Sequence, residues 1–153
     1  MDSYHIFIKL IMATLLSGLI GFEREYYGKA AGFRTHILVC LGSTLMMLTS
    51  IYMAEVYRGI GPVDPTRIAG QVVTGMGFLG AGTILRSGAN VKGLTTAASL
   101  WAVAGIGLAI GCGFYFAAFA TTGLVFITLV IFSKMEEAIP PKGGKKGGMN
   151  NDW

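Results

Sequence analysis

Residues 95–133 read TTAASLWAVAGIGLAIGCGFYFAAFATTGLVFITLVIFS, an apolar run that is too long for one membrane crossing. A bilayer core takes about 20 mostly apolar helical residues. Gly111-Cys112-Gly113, in the middle of the run, supplies a place to turn tightly, so the stretch divides into two helices, 95–112 and 113–133. The same ruler carried toward the N-terminus marks spans near 5–22, 35–56 and 67–86. The expected fold class is therefore all-α, a polytopic membrane bundle of about five transmembrane helices. The first apolar segment lacks a small-residue cleavage site followed by a polar start, and it reads as the first helix rather than a cleavable signal.

Composition agrees with that reading. The 153 residues are 53% hydrophobic and 13% charged, with a mean hydropathy of +0.62, which a water-soluble fold of this size could not bury. Residues 1–133 are expected to form one transmembrane domain. Residues 134–153 contain Pro140-Pro141 and the run KGGKKGG, which has no apolar face, and form an expected disordered basic cytoplasmic tail. Cys40 and Cys112 both lie in apolar segments and read as small core residues rather than a disulfide pair.

Lysine and arginine in short loops stay on the cytoplasmic side. With the C-terminus inside, the inner segments hold Arg24, Lys29, Arg34, Arg86, Lys92, Lys134, Lys142, Lys145 and Lys146, and the outer loops hold Arg58 and Arg67. The asymmetry favours N-out and C-in, which requires an odd number of spans. Topology thus accounts for the net charge of +4, and nucleic acid need not be invoked as a partner. The bilayer is the expected partner, and a basic rim attracts anionic lipid headgroups.

The glycines carry the next signal. Gly75, Gly77, Gly80 and Gly82 contain the GxGxxG spacing of dinucleotide-binding turns, but no strand precedes them and no acidic residue follows at the required distance. Inside an apolar span they read as a flat face for a neighbouring helix. Gly107 and Gly111, with Gly105, form a second such face at close-contact spacing, so the third and fourth helices are expected to pack through small residues. Gly18, near Ala13 and Ser17, could serve the first helix in the same way.

Charge near a membrane is costly, so the polar words deserve weighing. Glu23-Arg24-Glu25 ends the first helix, and Arg34 and His36 enter the second. One reading is a solvated interfacial loop with snorkelling arginines. The other is an internal network in which Arg34 holds Glu23 or Glu25 bidentately and locks the turn. His36 can titrate, but with His5 far away in sequence it is no metal site. Between helices three and four, Asn90 suits a turn, Lys92 follows it, and Thr95 or Thr96 can cap the fourth helix. At the opposite end, Asp64, Arg67 and Gln71 can form a local clasp. No cluster offers an activated nucleophile or a carboxylate dyad, so no enzyme is expected.

Four blocks then point to a family. ERE at 23–25, AGFRTH at 31–36, RIAGQVVTGMGFLGAG at 67–82 and VKGLTTAASLW at 91–101 closely resemble, in order and spacing, the membrane domain of the MgtC/SapB family. The resemblance covers about residues 10–130. It implies a multi-pass protein of the bacterial inner membrane, linked to magnesium limitation and ion homeostasis and, in pathogens, to virulence inside host cells. Family members are described both as magnesium transport accessories and as regulators that contact membrane proteins, including the F-type ATP synthase. Asn90 matches a polar loop position regarded as functional in the virulence members of the family. Longer members carry a soluble C-terminal domain, and this chain looks like a short form without it.

Two functions remain open at this point. In one, the glycine faces and basic rim bind a second copy, as a homodimer, or another membrane protein, and regulate it. In the other, Glu25, Glu23 or Asp64 meet hydrated magnesium in a transporter or channel, with oxygen ligands suited to that ion. The second is weakened by the lack of acidic residues at mid-membrane depth. No resident cofactor is called for, and association with Mg2+ is left open.

Overall fold

A computed structural model describes residues 3–61, 63–88 and 90–132. Among these residues are five α-helices: α1 (Ser3–Tyr26), α2 (Phe33–Val56), α3 (Arg67–Thr83), α4 (Leu94–Cys112) and α5 (Tyr115–Ile127), the last continued by a π turn (Thr128–Phe132). Helices α1, α2 and α4 are long and apolar enough to cross a membrane. The expected tail, 134–153, lies outside the described residues.

The division of the long apolar run is as expected, for α4 stops at Cys112 with Gly113 in the left-handed region at φ 88°. A residue with no Cβ takes that conformation without strain, and the Gly113 N–H closes on the Ile110 carbonyl. The third helix is shorter than expected: it ends at Thr83, not near 86. Leu85–Ser87 (β1) and Asn90–Lys92 (β2) form a small antiparallel hairpin instead, pairing Leu85 with Lys92 and Ser87 with Asn90. Gly88 at φ 59° begins its turn, so Asn90 stands in the strand and not at the corner. Helix α4 is then entered through Gly93, at φ 90°, with no side-chain cap. The expected cap from Thr95 or Thr96 is not made. A Cβ at position 93 would collide with the Thr83 carbonyl, so a threonine-capped entry is displaced by tight closure of the hairpin on the end of α3.

The core forms where α1, α2, α4 and α5 meet, around Ala13, Ile20, Cys40, Val103, Ile106, Ile110 and Ala118. A smaller cluster, Ala31, Met76, Leu100 and Ala104, fastens α3 to α4. Close approach depends on glycine, but not at all the expected places. Gly107 and Gly111 pack against α2, where a Cβ would meet the Cys40 carbonyl oxygen at 2.5 Å and Met47 Cβ at 2.6 Å. Only Gly80 of the α3 series joins α3 to α4, through Ala97 at 3.6 Å. Gly75, Gly77 and Gly82, like Gly105, meet nothing within 4 Å. The four-residue spacing of Gly107 and Gly111 was legible, but the partner face could not be, because spacing says nothing about which helix lies opposite. Gly18 does pack as expected, against the Phe33 ring at 3.4 Å.

Polar groups in the core are satisfied. Ser17 and Ser43 return their hydroxyls to the carbonyls of Ala13 and Val39, and Thr44 donates to the Gly107 carbonyl at 3.0 Å. The last bond ties α2 to α4 where the missing Cβ atoms bring the backbones together. Among the described residues, no fully buried side-chain nitrogen or oxygen lacks a partner, as a low-dielectric interior requires.

Candidate functional site

The polar residues singled out in the sequence separate to opposite ends of the bundle. At one end, α1 finishes, α2 and α4 begin, and the hairpin covers the junction. Here Glu23 and Arg24 are 5% and 2% exposed, and the Arg24 Nε and Nη2 both donate to the Glu23 carboxylate. Glu25 turns outward and accepts the Phe33 N–H at 2.9 Å, closing the α1–α2 turn onto the start of α2. The expected clasp through Arg34 is therefore not the one formed. Adjacent Arg24 and the backbone N–H of Phe33 take the two carboxylates, and Arg34 is exposed. A neighbour in sequence needs little chain ordering to reach its partner, and an uncapped helix N-terminus offers donors that have no helical acceptor.

His36 is wholly buried beside this pair. Its Nδ1 donates to the Gly32 carbonyl at 2.8 Å, since a carbonyl can only accept. Its Nε2 lies 3.0 Å from Ser99 Oγ, which is in turn 2.9 Å from the Thr96 carbonyl. A neutral ring takes the Ser99 proton; a charged ring donates to Ser99 and releases that proton toward Thr96. His36 thus joins the start of α2 to the first turns of α4, two segments 63 residues apart. Neither Ser99 nor Thr96 was singled out as its partner. A buried imidazole demands one, but sequence alone does not say which hydroxyl it finds.

The hairpin closes the same end, with Asn90 and Lys92 exposed on β2 and Thr95 exposed in the first turn of α4. Between the end of α1, the hairpin, the start of α4 and the end of α5 lies a cavity of about 370 Å³, lined by Arg24, Lys29, Thr95, Thr96 and Thr128, among others.

At the other end, Asp64, Arg67 and Gln71 do come together, lining a cavity of about 480 Å³ with Ser50 and Met53. Asp64 is not held chiefly by arginine. Its Oδ1 accepts the Thr66 hydroxyl at 2.7 Å and the Thr66 N–H at 2.8 Å. These bonds hold the carboxyl below its ordinary range, with Arg67 a lesser contributor. The Ser50 hydroxyl donates to the Pro65 carbonyl and fixes the loop to α2. Lys9, a cation within α1, donates to the Gly111 carbonyl at 2.7 Å. It thereby satisfies the C-terminal end of α4, where a cation is favoured. The signal was present in the sequence, since an ammonium inside an apolar span must find an acceptor.

No group of three or more His, Cys, Asp or Glu residues that could hold a metal ion occurs among the described residues. Cys40 is buried and Cys112 exposed, both as free thiols.

Comparison with known proteins adds a family model, the MgtC family, that matches residues 10–138. The chain is 46% identical over 131 residues to a protein of Escherichia coli K12 named putative magnesium transporter YhiD, covering 84% of this chain and 60% of that one. It is 41% identical over 132 residues to protein MgtC of Salmonella typhimurium LT2, covering 86% of this chain and 54% of that one. A Haemophilus influenzae protein without an assigned function is 40% identical, covering 84% of this chain and 56% of its own length. The chain thus spans little more than half the length of the curated relatives it matches. No solved structure matches.

Proposed function

The chain belongs to the MgtC family, and from that premise we propose that it is a non-enzymatic, multi-pass regulator in the bacterial inner membrane. It serves magnesium homeostasis by contacting another membrane protein or a second copy of itself. The observation that carries this reading is the state of α3. Phe78 is 83% exposed, and a Cβ added at Gly75, Gly77 or Gly82 would meet no described residue within 4 Å. Small residues allow close backbone approach between membrane helices, which associate without a hydrophobic driving force. Gly75, Phe78 and Gly82 lie on one side of α3, within about 60° of one another at 3.6 residues per turn, with Gly77 on the opposite side. A side of small residues left open by its own bundle suits a partner helix.

The name of the E. coli relative favours a second reading, transport of magnesium or another cation. Against it stands the placement of charge. Every acidic residue described, Glu23, Glu25, Glu55 and Asp64, lies near a helix end or in a loop, whereas ion pathways mark themselves with ionisable groups at depth.

Reconstitution separates the two. In liposomes, the chain alone should admit no more Mg2+ than protein-free vesicles, while resonance energy transfer between labelled copies or with co-reconstituted membrane proteins should fall in Gly82→Ile. Saturable Mg2+ entry abolished by Glu25→Gln would overturn the regulator in favour of the transporter. The orientation carries its own test: in a Cys112→Ser background, Ile60→Cys should react with an impermeant thiol reagent from outside and Asn90→Cys only from the cytoplasmic side. Labelling of both from one side would refute it.

A further inference from the structure

We propose that the cavity between the end of α1 and the start of α4 is an anion site that binds a phosphate group. Three independent features converge there. The first is helix α4, 19 residues long, entered through Gly93 with no side-chain cap. The N–H of Ala97 is the first to find a helical acceptor, at Gly93. Those of Leu94, Thr95 and Thr96 lie in the uncapped first turn, where N–H groups and about half a unit of positive charge favour an anion.

The second is a pair of buried polar side chains facing the cavity. Thr96 is 4% exposed, and its hydroxyl has no hydrogen-bond partner among the described residues, yet it is not a sealed orphan atom. Thr96 lines the cavity. Arg24 is 2% exposed and lines the same space. Glu23 occupies Nε and Nη2, and no hydrogen bond among the described residues engages Nη1, which likewise is not sealed. A guanidinium edge, a hydroxyl and a helix N-terminus are the donors with which proteins hold phosphate.

The third is the balance of charge. Lys29 adds a cation to the wall, and among the described residues no carboxylate lines the cavity. Glu23 is already neutralised by Arg24. The carbonyls at the end of α1, which would repel an anion, are taken by the N–H groups of Tyr27, Gly28 and Lys29. At about 370 Å³ the cavity admits a phosphate with a substituent attached. It opens among helix ends, and the phosphate can belong to a lipid or to a soluble molecule. This inference does not depend on whether the protein regulates or transports.

The test uses the full chain in a neutral detergent, titrated with inorganic phosphate, and in nanodiscs of phosphatidylcholine with and without phosphatidylglycerol. Melting temperature and native mass spectrometry are the readouts. A rise in melting temperature with phosphate indicates a soluble ligand. A rise and a retained lipid only with phosphatidylglycerol indicate the headgroup. Either supports the site if Thr96→Val and Lys29→Gln each weaken binding about tenfold while Lys92→Gln, outside the cavity wall, does not. Lys29 is exposed, so its variant folds even if Thr96→Val does not. No response to either probe, or equal loss in Lys92→Gln and Lys29→Gln, would refute the site in favour of diffuse attraction by a basic surface.

Discussion

Gly107 lies so close to Cys40 that a methyl group on its Cα would stand 2.5 Å from the Cys40 carbonyl oxygen. The contact places α4 directly on α2, and the Thr44 hydroxyl bond to the Gly107 carbonyl forms in the same place. Gly107→Ala and Gly111→Ala must therefore push two backbones apart. Each should cost about 1–3 kcal/mol. Gly105→Ala meets open space and should stabilise by up to about 1 kcal/mol through helix propensity. Thermal melting of the three variants in one detergent checks the order; equal behaviour of positions 105 and 107 would contradict the packing.

The Glu23–Arg24 pair is buried, and loss of one partner strands the other charge. Glu23→Gln or Arg24→Met should each destabilise by about 3–5 kcal/mol, while the double variant Glu23→Leu/Arg24→Met should recover most of that loss. A double-mutant cycle on chemical unfolding measures the difference. Single variants as stable as the parent would mean that the charges are solvated.

Lys9 caps α4 from a distance of 102 residues in sequence, through the Gly111 carbonyl. Lys9→Met keeps the apolar stem and removes the donor, at an expected cost of about 1–3 kcal/mol. Hydrogen exchange at the end of α4 should speed up in the variant and stay unchanged at its start.

Acid should loosen the entry to α3. The carboxyl of Asp64 titrates lower in the folded chain than its ordinary value, because Thr66 donates to it twice. As pH falls, the unfolded chain takes up the proton first. The contribution of Asp64 is thus present at neutral pH and lost as pH drops through the folded pKa. The difference in melting temperature between the parent and Asp64→Ala should be greatest near neutral pH and shrink as pH falls below the ordinary carboxylate range and through the folded pKa. A difference that grows toward acid would reverse the assignment.

Much of this was legible in the chain because it follows from local chemistry. Apolar length marks helices whatever they pack against, and Gly113 forces the break between α4 and α5 because its left-handed backbone suits no other residue as well. The glutamates at 23 and 25 were recognisable as costly charges, and Gly107 and Gly111 as a contact face. Their partners were not legible. Arg34 read as the partner of a glutamate where Arg24 takes Glu23, and nothing in the order of residues distinguishes α2 from α3 as the neighbour of a glycine face.

What the sequence determined by itself is thus the membrane class, the number of helices and the residues that must find partners, since hydrophobic length and desolvation act on each segment separately. Tertiary structure decided the pairing. His36 meets Ser99 across 63 positions and Lys9 meets Gly111 across 102, and Thr96 comes to share a cavity with Arg24. The His36–Ser99 pairing depends on how closely α4 packs on α2, a distance set by the missing methyl groups of Gly107 and Gly111 and by no property of His36 or Ser99.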